Sequence, residues 1–85
     1  MEYVYHTKGT CSSQITFDIE NGVVTNVRFR GGCNGNLQGI SRLVDGKTVD
    51  EIEGLLQGVK CGFKSTSCPD QLAKAVRQAQ NELAN

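Results

Sequence analysis

Cys11, Cys33, Cys61 and Cys68 are the four cysteines of this 85-residue chain. Each stands beside glycine or hydroxyl residues: Lys8-Gly9-Thr10-Cys11, Gly31-Gly32-Cys33-Asn34-Gly35, Cys61-Gly62 and Ser65-Thr66-Ser67-Cys68-Pro69. A structural cysteine behaves as a small hydrophobe and belongs on an apolar stripe. These four are expected where the backbone turns. Four thiols gathered at one end of a small domain suit tetrahedral Zn²⁺ or an iron–sulfur centre. There is no Cys-x-x-Cys pair, so a zinc ribbon or a thioredoxin-like redox pair is not indicated.

The elements that must gather them can be read from periodicity. Tyr3 to Thr7 is a short strand. Ile15, Phe17 and Ile19 alternate with polar residues, as do Val23, Thr25, Val27 and Phe29, and Asn21-Gly22 between them signals a hairpin. A three-residue loop, Glu20-Asn21-Gly22, sets Ile19 opposite Val23, Phe17 opposite Thr25 and Ile15 opposite Val27, which keeps one face apolar. A two-residue loop mixes the faces. Leu37, Ile40, Leu43 and Val44 recur at helical spacing and end at Asp45-Gly46-Lys47. Thr48-Val49-Asp50-Glu51 is a capping-box start for a second helix with Val49, Ile52, Leu55, Leu56 and Val59 on its stripe. Gly58 and Gly62 bracket its end. Pro69 opens a third helix, with Leu72, Ala75, Val76, Ala79 and Leu83 inward and Lys74, Arg77, Gln78 and Glu82 outward. Strands followed by helices imply an α+β domain, a three-stranded antiparallel sheet packed by three C-terminal helices.

This order places Cys11 before the second strand and Cys33 after the third, at the end of the hairpin away from its turn. Cys61 follows the second helix and Cys68 precedes the third. Cys33 and Cys68 stand at helix N-termini, where free N–H groups and the helix dipole favour a thiolate. Gly32, Asn34 and Gly35 around Cys33, and Ser67 and Asp70 around Cys68, are candidates to hydrogen-bond or orient the sulfurs. Asp70 is otherwise read as a carboxylate complementing a helix N-terminus. His6 and the Arg28–Arg30 pair are read as solvent-facing strand residues. The Gly-rich run at Cys33 lacks phosphate-loop spacing.

Composition narrows the classes. Nine acidic and nine basic side chains leave no net charge, against the basic excess of a nucleic-acid binder. No apolar run has the length of a membrane span. Met1 to His6 does not read as a secretory signal, so a reducing cytoplasm is the expected compartment. There, metal or redox chemistry is favoured over disulfides. The chain is sized for one domain, residues 1–85.

The run Thr66-Ser67-Cys68-Pro69-Asp70 spells TSCPD. With Gly32-Cys33-Asn34-Gly35-Asn36-Leu37-Gln38-Gly39-Ile40 and Cys61-Gly62, the chain resembles the TSCPD domain family over essentially its whole length. That resemblance implies a stand-alone copy of a domain also found at the C-terminus of adenosylcobalamin-dependent ribonucleotide reductases. It implies an accessory role beside a ribonucleoside-diphosphate reductase, since the chain has no room for the reductase barrel, its radical cysteine or its nucleotide sites. The chain is also similar to NifU-like iron–sulfur scaffold proteins. The shared features are a Cys before a hairpin, Gly32-Cys33 leading into a helix, Gly46-Lys47-Thr48-Val49-Asp50-Glu51 opening the next, and Cys68 before the last. It departs from them where Ser12 and Ser13 replace an Asp after the first Cys, where Ser67 replaces a His, and in having Cys61.

Three readings follow. The first is a non-catalytic module holding Zn²⁺, or an iron–sulfur centre, on Cys11, Cys33, Cys61 and Cys68, and docking on a larger enzyme such as ribonucleotide reductase. The second is an iron–sulfur scaffold or carrier. The third is a dithiol relay through Cys61 and Cys68. Neither nucleic acid nor membrane is an expected partner, and the oligomeric state is left open.

Overall fold

The structure is a computed structural model. It describes residues 1–8, 10, 12–32, 34–59 and 66–83, with Asn34 and Gly35 described by their main chain alone. Cys11, Cys33 and Cys61 lie outside the described residues, as does Gly62. The described elements are β1 (Glu2–His6), β2 (Ser12–Glu20), β3 (Val23–Gly31), α1 (Asn34–Val44), β4 (Lys47–Thr48), α2 (Val49–Leu56) and α3 (Cys68–Leu83). The strands form one antiparallel sheet in the order β1-β2-β3-β4. The α+β class is as expected from the sequence. The sheet has four strands rather than three, because Lys47 and Thr48 pair with Val24 and Val23 before the chain enters α2.

The hairpin departs from the expected register for a physical reason. Its loop is the two-residue Asn21-Gly22, both at positive φ (52° and 76°), the backbone of a tight turn whose twist matches the strands. Ile19 therefore faces Val24, and both are buried. Continued strictly, that register would bring Arg28 opposite Ile15. A bulge intervenes: Asp18 pairs with Thr25 but Thr16 pairs with Arg28, so β3 carries one extra residue near Asn26, at φ 54°. The bulge shifts the phase of β3, so that Val24 and Val27 both point inward and Ile15 meets Phe29. Val23, expected on the inner face, is exposed.

Ile15, Phe17, Ile19, Val24 and Val27 meet Val44, Val49, Ile52, Leu72, Ala75, Val76 and Ala79 of the helices in one core. Tyr3 stacks obliquely on Phe17 with ring centroids 5.6 Å apart. The helices keep the expected order, with differences at their ends. Leu43 and Leu55 are 73% and 62% exposed, and Val59 and Leu83 are exposed beyond or at the ends of their stripes. The inward faces are instead formed by Leu37, Ile40 and Val44 in α1 and by Val49, Ile52 and Leu56 in α2. The capping box at Thr48 is present in full: its hydroxyl accepts from the Glu51 N–H, and the Glu51 carboxylate accepts from the Thr48 N–H. Gly58, at φ 84°, turns the chain out of α2. Among the described residues no helix is long and apolar enough to cross a membrane.

Candidate functional site at the cysteine end

The start of β2 builds one wall of the site. Ser12 pairs with Gly31 while Gln14 pairs with Arg30, so β2 also carries an extra residue, Ser13. Strict alternation from Ile15 would turn Ser13 inward. The bulge turns Ser12 inward instead, where it is 3% exposed, and leaves Ser13 at the surface. The Ser12 carbonyl accepts hydrogen bonds from the Thr7 and Thr10 hydroxyls. Its own hydroxyl lies 3.0 Å from Cys68 Sγ.

Cys68 is the first residue of α3 and is buried. Ser67 caps the helix: its hydroxyl accepts from the Asp70 N–H at 3.2 Å, and its carbonyl accepts from the Gln71 N–H at 2.8 Å. This changes the expected environment of the thiol. Pro69 has no N–H, and that of Asp70 is engaged by Ser67, so the first turn offers sulfur fewer free donors than its position suggests. The Ser12 hydroxyl is a hydrogen-bonding group that the fold brings to Cys68.

Around this pair lies a buried network that ties three stretches of chain. Asp70, 4% exposed, accepts from the Gly58 N–H at 2.7 Å and from the Thr66 hydroxyl, and pairs with Lys74 Nζ at 3.2 Å. Burial alone would push its carboxyl up. The Thr66 hydroxyl, the Gly58 N–H and the Lys74 ammonium outweigh that and hold it below the usual aspartate range. The Ser67 hydroxyl donates to the Val59 carbonyl. The chain thus leaves at Gly58–Val59 and returns at Thr66–Ser67 with both ends pinned to the top of α3. Gln71 adds the third tie, donating to Thr66 Oγ1 at 3.1 Å and accepting from the Lys8 N–H at 3.2 Å. No buried side-chain nitrogen or oxygen among the described residues lacks a hydrogen-bond partner.

Of the residues expected from sequence at the site, Cys68, Ser67 and Asp70 come together here. Ser67 and Asp70 hold main chain and Thr66 rather than sulfur. Gly32 has φ 84° at the surface, in the turn between β3 and α1. Cys11, Cys33 and Cys61 lie outside the described residues, and so does the side chain of Asn34. Their described chain neighbours converge: Ser12, next to Cys11, pairs with Gly31 and touches Cys68, and Val59 is bonded to Ser67. Among the described residues no group of three or more His, Cys, Asp or Glu gathers as a metal site. His6, Arg28 and Arg30 are exposed, as expected.

Sequence reasoning missed Ser12, Thr66 and Gln71. Ser67-x-x-Asp70 carries a readable cap signature. No local signal marks Thr66 or Gln71 as buried.

The fold and this end of it define a small α+β domain with a conditioned cysteine at a helix start. The TSCPD domain model matches residues 1–80, and the chain belongs to that family. No curated protein and no solved structure matches it. The similarity to NifU-like scaffolds is not shown by these comparisons.

Proposed function

We propose that this domain is a non-catalytic metal-binding accessory module, acting in the cytoplasm beside a ribonucleotide reductase in deoxyribonucleotide synthesis. Cys11, Cys33, Cys61 and Cys68 would hold one Zn²⁺ as four thiolates, with an iron–sulfur centre as the alternative occupant. The observation that carries the reading is the convergence of chain neighbours. Ser12 touches Cys68, Ser12 pairs with Gly31 two residues before Cys33, and Val59, two residues before Cys61, is tied to Ser67. Cys68 has chemistry that fits a ligand, being buried at a helix start beside a hydroxyl able to donate to sulfur. Zinc so bound supplies a crosslink between the hairpin and the helices, and no redox chemistry. The association with a reductase rests on family membership.

Metal analysis with an absorption spectrum, on protein purified anaerobically without chelators, tests this. One zinc per chain is the expected result. Iron with broad visible bands would replace zinc by the cluster reading. Cys68→Ser should lose the metal and lower Tm, by about 4–8 °C for each kcal/mol lost. An unchanged metal load and melting curve would overturn the proposal.

A dithiol relay through Cys61 and Cys68 is the second reading. It is favoured by the pinning of Val59 and Thr66 to the start of α3. It requires a reversible two-electron couple in metal-free protein, and a redox titration that finds none would exclude it.

A further inference from the structure

Among the described residues, the outer edge of β3 is paired over only part of its length. β4 pairs only with Val23 and Val24, and the Asp45 carboxylate accepts from the Asn26 N–H at 3.0 Å just beyond. Among the described residues, no strand pairs with residues 27–31 on the side away from β2. Beside that stretch lies a groove of about 420 Å³ between β3 and α1, lined by Val27, Arg28, Phe29 and Gly31 on the strand and Leu37, Gln38 and Ser41 on the helix. An open strand edge with a helix as the opposite wall is the setting in which an extended peptide adds to a sheet.

The side chains along this edge define what would fit. Arg28 and Arg30 are exposed on the open face of the sheet, and no ion pair to either is found among the described residues. Their neighbours across β2, Thr16 and Gln14, are uncharged. Asp18, farther along β2, is engaged by the Asn26 amide at 2.9 Å. Val27 and Phe29 point the other way, towards the core side and the groove. A strand laid against β3 would alternate with it. Residues beside Arg28 and Arg30 share their face, and the residue between them enters the groove with Phe29 and Leu37.

We infer that the edge of β3 from Val27 to Gly31 is a docking site for an extended acidic segment of a partner protein, with carboxylates two residues apart and an apolar residue between them. Opposite charges side by side across strands stabilise the pairing, and like charges oppose it. The proposal assigns no role to a cysteine and its test reads peptide binding rather than metal content, so its failure and the failure of the metal reading are separable.

The test uses the full chain and three capped octapeptides. One alternates glutamate with valine, one alternates lysine with valine, and one is the glutamate peptide with a central proline. Amide exchange and NMR shifts are read on titration. The expected result is binding of the glutamate peptide with slowed exchange at residues 27–31, loss of binding with proline, and binding at least about tenfold weaker for the lysine peptide. The double variant Arg28→Glu, Arg30→Glu should reverse the preference between the two charged peptides. Equal binding of both charges, or binding without protection of the edge amides, would overturn the proposal. So would protection of the same amides by self-association, seen in sedimentation of the chain alone, because a second copy would then be the occupant.

Discussion

The two ends of the β2–β3 hairpin are closed by different mixtures of main-chain and side-chain bonds. At the turn end, the Gly46 N–H donates to the Val24 carbonyl at 2.7 Å and the Val49 N–H to the Gly22 carbonyl at 2.9 Å, locking β4 and α2 to the hairpin through main chain. At the cysteine end, the ties run through Ser12, Thr66, Ser67, Asp70 and Gln71 side chains. Main-chain bonds tolerate many sequences. A buried side-chain network demands particular residues, since removing one partner strands the others away from water. That contrast accounts for the character of the run Thr66 to Asp70. Apart from the Cys68 thiol and Pro69, which cannot donate a main-chain bond, each of its residues supplies an oxygen that holds chain at this end.

The contrast can be broken most directly at Asp70. Asp70→Ala leaves the Gly58 N–H and the Thr66 hydroxyl without an acceptor, and should cost about 2–4 kcal/mol in urea unfolding. Acid sensitivity sharpens the comparison, because each end holds one depressed carboxylate. Asp70 binds fewer protons in the folded than in the unfolded chain at mildly acid pH. Its contribution is therefore complete above the ordinary aspartate range and is lost as pH falls through it towards the lower folded value. Glu51, held low by the Thr48 N–H and hydroxyl but exposed, has the same sign. Asp70→Asn should flatten the acid limb of stability against pH, and Glu51→Gln should change it much less. Equal flattening by the two would show that the turn end depends as heavily on its side chains. The smallest effect is expected at the turn end, where Thr48→Ala removes the α2 cap and should cost about 1 kcal/mol by the same urea measurement. A greater loss there than from Asp70→Ala would invert the comparison.

The same contrast decides what was legible in the sequence. The alternation of Ile15, Phe17 and Ile19, the capping box at Thr48 and the stripe of Leu72, Val76 and Ala79 are local patterns, and each gave its element correctly. Strand β4 was not legible, because two residues become a strand only when Val23 and Val24 are beside them. The hairpin register differs from the turn onward, because the loop is Asn21-Gly22 and it is the bulge at Asn26 that brings Val27 back to the inner face. A left-handed asparagine leaves no mark on polarity, although the three-residue spacing of Val24 and Val27 breaks strict alternation and was the available clue. At the site, Cys68 announced itself by type. Thr66 and Gln71 did not, because hydroxyls and amides read as surface until a fold supplies their partners.

The two bulges have a joint consequence. Asn26 adds one residue to β3 and Ser13 adds one to β2, so the strands run the same number of steps from Glu20–Val23 to Ser12–Gly31. Losing either codon alone would move the ends of the hairpin about 3.3 Å out of step, carrying the residues that follow Gly31 away from those that precede Ser12. Losing both would restore the match. In the descent of this sequence, a deletion in one strand would then be tolerated only with its counterpart in the other, a paired inheritance imposed by the need to finish level.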